Sequence, residues 1–452
     1  MTSGVSHPKE PYVLIVDDDA SQRSLLSSFL TQCGVNVRVA ESGLEALSII
    51  ARMRPAMLIS DVRMPGMTGL ELLTALRKND AELPVLLVTA HADIRDAVGA
   101  MRQGAVDYLQ KPIDLEELLA AVQAVVGEGA VTHASAEPHP PLPEGVVMES
   151  AVMDEVLREL ALVAPSDSRI LITGESGTGK EVIADLIHRW SHRKSAPFVK
   201  INCAAIPENL LESELFGHKK GAFTGADTDR QGLFSKADGG TLLLDEIGEM
   251  APLLQAKLLR VTQEGTFSVV GSSETRKVDV RILAATNRDL EAQVAAGAFR
   301  EDLYYRLNVM EIYIPPLRER GDDIMPLAHR MAASLNHERA RFSPSTVNTL
   351  THYPWPGNVR ELRNAVERAL LLAKGDVILP EHLPKRMLQE VPVEDEGADR
   401  MEDIERNAIL QTLKEQEYHR TNTALALGIS RRALTYKLRA YRTQGHLVDK
   451  PT

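Results

Sequence analysis

"RILITGESGTGKEVIADLIHRW", Arg169 to Trp190, decides the fold of the largest part of this 452-residue chain. An apolar strand, a glycine loop and an amphipathic helix follow in the order that a phosphate-binding loop requires. Gly174, Gly177 and Gly179 let backbone N–H groups turn toward phosphates, with Glu175, Ser176 and Thr178 among them, and Lys180 reaches the outer ones. The Ser or Thr that usually follows the lysine and ligates Mg2+ is replaced by Glu181. A ligand-free strand–helix turn has the same spacing, so the downstream sequence must arbitrate.

It does so in favour of phosphate chemistry. "GGTLLLDEIGEM" is a buried strand ending in Asp245 and Glu246; the first acid can hold a metal and the second can polarise an attacking water. "VRILAATNRDL" ends another strand at Asn287, placed to sense a γ-phosphate. "GAFREDLYYRL" offers Arg300 and Arg306, and "WPGNVRELRN" offers Arg360. Arginines without a local pair can act as fingers on a neighbour's nucleotide, although a helix-surface charge is the plainer role for each alone. Between these motifs lies "GAFTGA": Gly221, Ala222, Phe223, Thr224, Gly225 and Ala226. It is either a glycine-rich turn with a stray aromatic or a moving tip that touches a partner.

The chain has room for about three domains. Hydrophobic content of 44% and charged content of 25% suit a soluble globular protein. No apolar run approaches the ~20 residues of a membrane span, and the N-terminus lacks the basic start and apolar stretch of a signal peptide. Two cysteines, Cys33 and Cys203, fit a reducing cytoplasm. A net charge of −12 excludes nucleic-acid binding over the whole surface. The charge is uneven, however: eight acids against one base from Glu390 to Glu405, then seven Lys and Arg against one acid from His419 to Lys450. Aperiodic stretches at 128–145 and 388–400 read as linkers, which leaves segments 8–127, 146–387 and 401–445.

In segment 8–127 the runs "YVLIV", "VNVRV", "AMLIS", "VLLVT" and "AVDYL" alternate with helical patterns, the signature of a doubly wound parallel sheet. Asp17 and Asp18 end the first strand and Asp61 the third. In a sheet ordered 2-1-3-4-5 these ends are neighbours at the switch point, where ligands gather. Three converging carboxylates call for a hard divalent ion such as Mg2+. Thr89 and Lys111, from the fourth and fifth strand ends, suit a phosphoryl group. With all five strand ends matching, the segment closely resembles the flavodoxin-like receiver domains of two-component response regulators. That resemblance implies that Asp61 accepts a phosphoryl group from a sensor histidine kinase. Asp17, Asp18 and the Arg63 carbonyl would hold Mg2+, Thr89 and Lys111 would contact phosphoryl oxygens, and Tyr108 would report the switch. Thr68, where relatives often carry Asp, lies outside the acid pocket.

The central motifs, taken in order, resemble the AAA+ domain of bacterial enhancer-binding proteins, the NtrC family, from about Val147 to Pro384. The resemblance implies an ATPase that activates RNA polymerase carrying sigma-54. It also makes Glu181 ordinary, since the family commonly has Glu there. Asn202 would hold Glu246 idle until signalled. Arg300 and Arg306 would act across the subunit boundary of a hexameric or heptameric ring, and Arg360 would contact nucleotide from a helical subdomain. "GAFTGA" is this family's signature, and Phe223 with Thr224 would press on sigma-54. A general AAA+ remodeller would share the phosphate loop but not this sequence. Lys219, where relatives often have Glu, sits at the loop's base.

In the tail, "NTALALGISRRALTYKLRAY" places Ala424, Gly428 and Leu434 at helix-turn-helix offsets. Its second helix carries Arg431, Arg432, Thr435, Tyr436, Lys437 and Arg439, suited to phosphate and groove contacts. It resembles the Fis-type domain that closes many members of the same family, which would bind upstream double-stranded DNA as a dimer. The expectation is an α/β multidomain protein with an all-α DNA-binding end, cytoplasmic and not bound to membranes.

Overall fold

Strands such as Tyr12–Val16 (β1, YVLIV), apolar at every position, can be buried on both faces only where helices cover a parallel sheet. The computed structural model, which describes residues 11–80, 82–89, 104–127, 139–223, 226–335, 337, 340–373, 377–389, 409–414, 416, 418–427 and 431–443, shows such a sheet. With β2 (Asn36–Ala40), β3 (Met57–Asp61), β4 (Val85–Thr89) and β5 (Asp107–Gln110), it has the order β2-β1-β3-β4-β5, parallel throughout. Residues 90–103, where the helix before β5 is expected, lie outside the described residues.

Local chemistry sets the helix starts. Asp19 caps Ala20–Gln32 by accepting from Ser21 N, and Asp114 caps Leu115–Val126. Thr68 forms a capping box with Glu71 ahead of Gly69–Asn79, which accounts for a hydroxyl at that position. A Cβ on Gly69 would lie 2.2 Å from the Asp61 carbonyl oxygen, so only glycine lets this helix start against the end of β3.

The second sheet comprises β6 (Ile170–Thr173), β7 (Phe198–Asn202), β10 (Thr241–Asp245), β13 (Arg281–Thr286) and β14 (Met310–Tyr313), in the parallel order β14-β6-β13-β10-β7. Two small antiparallel pairs sit beside it: β8 (Gly217–His218) with β9 (Arg230–Gln231), and β11 (Thr266–Ser268) with β12 (Thr275–Lys277). After Pro315 the chain is mostly helical, through Ile324–Ser334, Pro344–His352 and Asn358–Leu372. Trp355 is fully buried there and donates to Leu350 O at 2.8 Å.

The helix Ala20–Gln32 packs on Ala151–Val163, and Leu25, Leu26 and Phe29 share one apolar cluster with Val156, Leu157 and Leu160. The end of the first expected linker is seated too: His139 stacks on Trp190 with ring centroids 5.9 Å apart.

Residues Met1–Lys385 form one compact unit and Arg386–Thr452 another. In the second, helices Arg420–Leu427 and Arg431–Thr443 pack through Ala424, Leu434 and Leu438, with Ile409 and Leu413 completing a small all-helical core. Gly428, the expected turn, lies outside the described residues. Both cysteines are buried and neither is in a disulfide. Among the described residues no helix is long and apolar enough to cross a membrane.

Candidate functional site

The glycine loop between β6 and the helix Lys180–Trp190 has positive φ at all three of its glycines, Gly174 (φ +150), Gly177 (φ +81) and Gly179 (φ +104). Lys180 Nζ folds back onto Gly174 O (2.9 Å) and Glu175 O (3.1 Å). Burial lowers the pKa of this amine, opposed by the charges of Glu246 and Asp245. Arg360 Nη1 donates to Ser176 Oγ at 2.8 Å, so the expected arginine does reach the loop. Glu181 turns elsewhere: its carboxylate accepts from Lys200 Nζ at 2.9 Å.

Three residues that the sequence alone did not single out hold the loop in place. Asn358 donates through Nδ2 to Glu175 Oε2 (3.0 Å) and Ser176 O (3.1 Å), while its Oδ1 accepts from Leu317 N at 2.8 Å. Arg318 grips the Glu175 carboxylate with two bonds, of 3.0 and 2.7 Å. Arg320, buried, donates to Thr178 O at 2.6 Å. The available signal was "GN" beside Arg360: Asn358 has φ 51, a left-handed conformation that asparagine tolerates. Asn358→Ala is expected to weaken nucleotide binding about tenfold by freeing the loop and straining the turn. Equilibrium titration with a fluorescent nucleotide checks this, and unchanged affinity would remove Asn358 from the site.

Asp245 and Asn202 are register partners at the ends of β10 and β7, and Asn202 Nδ2 donates to Asp245 Oδ2 at 2.9 Å. The expected Asn202–Glu246 pair is therefore corrected: adjacency in the sheet gives Asn202 to Asp245. Glu246 leaves the strand in a left-handed conformation (φ 54, ψ 48), and its Oε2 accepts from Asn287 N at 3.4 Å. Non-glycine backbone of this kind costs about 1–3 kcal/mol and clusters at functional sites. The structure thus brings Lys180, Asp245, Glu246 and Asn287 to one end of the sheet. Arg300 is exposed and bonded to its neighbour Asp302. Arg306 is engaged by Asp19 at 2.9 Å.

In the acid pocket, carboxylate oxygens of Asp17, Asp18 and Asp61 lie within 4.8 Å of one another. Lys111 Nζ bridges Asp17 and Asp61, at 2.8 Å from each. Burial alone would lower the Lys111 pKa; the two carboxylates override it and hold it raised. Burial is also the main cause of the raised pKa of Asp17. Thr89 is buried at the end of β4, Tyr108 is half-buried on β5, and Arg63 N donates to Asp61 Oδ1 at 3.3 Å. Such convergent oxygens suit a hard divalent cation.

The "GAFTGA" loop leaves the sheet between β8 and β9. Gly221 N donates to Ala226 O (2.8 Å) and Ala226 N to Phe223 O (3.0 Å). Phe223 is 37% exposed, its ring 4.9 Å from that of His218 in an edge contact. Thr224 and Gly225 lie outside the described residues. Lys219 pairs with Asp229 at 2.8 Å. On the last helix, Thr435, Tyr436 and Lys437 are half-buried and Arg439 is exposed; the side chains of Arg431 and Arg432 lie outside the described set.

Comparison with known proteins gives the context. Family models match residues 13–123 (response regulator receiver domain), 146–313 (sigma-54 interaction domain), 318–406 (AAA+ ATPase lid domain) and 400–441 (bacterial regulatory protein, Fis family). The regulatory protein AtoC of Escherichia coli K12 is 46% identical over 95% of this chain and 97% of its own length. The transcriptional regulatory protein ZraR of Klebsiella oxytoca is 44% identical over 94% and 98%. The crystal structure of NtrX from Brucella abortus in complex with ATP covers 96% of this chain and 99% of its own, at 32% identity and a TM-score of 0.52. Receiver, AAA+ ATPase and Fis-type helices in this order, on a chain aligned nearly end to end with these regulators, place it in the NtrC family of sigma-54-dependent response regulators.

Proposed function

We propose that phosphoryl transfer to Asp61 controls an ATP-hydrolysing ring, which remodels the closed complex of sigma-54 RNA polymerase from an upstream DNA site. A carboxylate oxygen of Asp61 attacks the phosphorus of a kinase phosphohistidine. The P–N bond breaks and the leaving imidazole takes up the electron pair. Lys111, already beside Asp61, neutralises the incoming charge. Mg2+ held by Asp17, Asp18, Asp61 and the Arg63 carbonyl in the receiver, and by Asp245 in the ATPase, would supply further neutralisation of phosphoryl charge.

In the ATPase, Lys180 and the loop N–H groups cradle phosphates, and Arg360 approaches from the lid. Glu246 orients the attacking water, Asn287 senses whether the γ-phosphate is present, and Arg300 and Arg306 serve the neighbouring subunit of a homo-oligomeric ring. Bound ATP in the related NtrX supports this use of the loop. The tail helices, as a dimer, grip double-stranded DNA through Arg431, Arg432, Thr435, Tyr436, Lys437 and Arg439.

The observation that carries this reading is the connection between Glu246 and the loop bearing Phe223. From Glu246 the chain passes into the helix Pro252–Glu264 and directly into the β11–β12 hairpin. Val270 of that hairpin bonds both sides of His218: its N donates to Gly217 O (3.0 Å) and its carbonyl accepts from Lys219 N (3.0 Å). A Cβ on Gly271 would lie 2.6 Å from that of Ala222, so hairpin and loop are in close contact. A change at Glu246 therefore has a short packed route to a half-exposed aromatic, which gains a partner when raised.

Transcription in vitro from a sigma-54 promoter with ATP tests the reading. Thr224→Ala is expected to reduce open-complex formation by about 30-fold or more, the size of a hot-spot contact, while ATP turnover persists. Full activity in Thr224→Ala, or equal activity with a housekeeping sigma factor, would overturn it.

A further inference from the structure

Receiver and ATPase meet along a seam that ends in an ion-pair network. Beside the apolar contact of helices Ala20–Gln32 and Ala151–Val163 runs a polar edge. Gln32 Nε2 donates to Leu162 O (3.1 Å), Asp167 N to Ser24 Oγ (3.0 Å), and Ser168 Oγ to Ser21 O (2.6 Å). At its end, Asp19 Oδ2 accepts from Arg306 Nη1 at 2.9 Å and from Arg169 Nη2. Asp18 Oδ2 lies 4.0 Å from Arg306 Nη2. Arg169, itself buried, donates through Nε to the Arg306 carbonyl at 2.5 Å. One receiver carboxylate thus serves two guanidiniums of the ATPase.

We propose that Asp19 is an intramolecular counter-ion that detains Arg306 in the seam, so that the finger cannot reach a neighbour's nucleotide until the receiver shifts. This rests on the reading of Arg306 as a residue acting in trans. A single guanidinium cannot hold its own receiver's carboxylate and a neighbour's phosphate at once. The pair is also not an ordinary surface bridge, since the side chains of Arg306 and Asp19 are 28% and 13% exposed. The side chains of Arg169 and Asp19 are 11% and 13% exposed, and opening the network leaves Arg169 without its counter-charge. The seam therefore opens as a unit or stays shut.

The same residues supply a route from Asp61. Asp19 N donates to Asp17 Oδ1 at 2.8 Å, and Asp17 Oδ2 is held by Lys111, which also holds Asp61. Negative charge added at Asp61 draws Lys111 from Asp17 and removes one anchor from the turn that carries Asp19. Control by the receiver is accordingly negative in the unphosphorylated chain.

The test is the full-length Asp19→Asn protein without a phosphodonor. Asparagine keeps the cap on Ser21 N and removes only the charge. ATP turnover at fixed protein concentration is expected to rise at least about tenfold toward that of the phosphorylated wild type, the scale of losing one buried charge partner. Hydrogen exchange along 20–32 and 151–163 is expected to speed up in parallel. Should Asp19→Asn fail to fold, Asp19→Ser, also a capping residue, serves in its place. Unchanged turnover overturns the lock, including the case in which exchange speeds up, because the pair would then be merely structural. Arg306→Ala in the phosphorylated chain separates the two ideas. Lost turnover there, with an indifferent Asp19→Asn, sinks the lock alone; retained turnover sinks the finger reading and the lock with it.

Discussion

Lys180→Ala is expected to lower ATP turnover by about 10²–10³-fold, the effect of deleting a single preorganised group aimed at developing charge. The lysine is buried at the base of the glycine loop and bonded to two of its carbonyls, so its position is set before nucleotide arrives. The other cations at the loop are already engaged, Arg360 with Ser176, Arg318 with the Glu175 carboxylate and Arg320 with Thr178 O. Deletion also removes a donor from Gly174 O and from Glu175 O, the latter still held by Thr178 Oγ1 at 2.9 Å, so the loop itself can change. For that reason phosphate release is measured alongside equilibrium nucleotide binding. A large loss of turnover with a smaller loss of binding assigns Lys180 to the transition state. Turnover within tenfold of wild type would place the nucleotide chemistry elsewhere.

The second large effect is expected at Asp61. Asp61→Asn keeps the shape of the side chain and removes the nucleophile, so covalent phosphorylation by acetyl phosphate or a kinase should fall to background. Intact-mass analysis reads this directly. The fold is expected to survive: Lys111 retains Asp17 at 2.8 Å, and the capped helix after Gly69 does not use the Asp61 carboxylate. Label persisting on Asp61→Asn would move the acceptor to Asp17 or Asp18, whose carboxylates share the pocket. Downstream, Asp61→Asn should remain at the unphosphorylated rate of ATP turnover whatever the phosphodonor. Combining it with Asp19→Asn should restore turnover, since the receiver lock is then absent.

Much of the protein was legible in local stretches. "YVLIVDDD", "MLISD" and "VLLVT" each contain both a buried parallel strand and the group at its end, so the order 2-1-3-4-5 converts one-dimensional motifs into one pocket. The same holds for "ILITGESGTGK" and "TLLLDE", where strand, loop and catalytic candidates are contiguous. Such features follow from hydrogen-bonding and periodicity within a dozen residues, which is why residue type and spacing suffice.

Other features depended on how those elements pack. Asn202 was expected at Glu246 and sits on Asp245, because the register of β7 against β10 selects the partner and the left-handed turn carries Glu246 toward Asn287. Asn358 reaches Glu175 across 183 positions, and Arg306 reaches Asp19 across 287. Contacts of that separation are set by the rotation and crossing of packed helices and sheets, to which spacing along the chain is blind. By itself, then, the sequence indicated a receiver, an AAA+ ATPase and a Fis-type helical end, with two parallel sheets and the residue types at their strand ends. Only the tertiary structure decided which acid each polar side chain answers, and that the receiver's own carboxylate occupies an arginine of the ATPase.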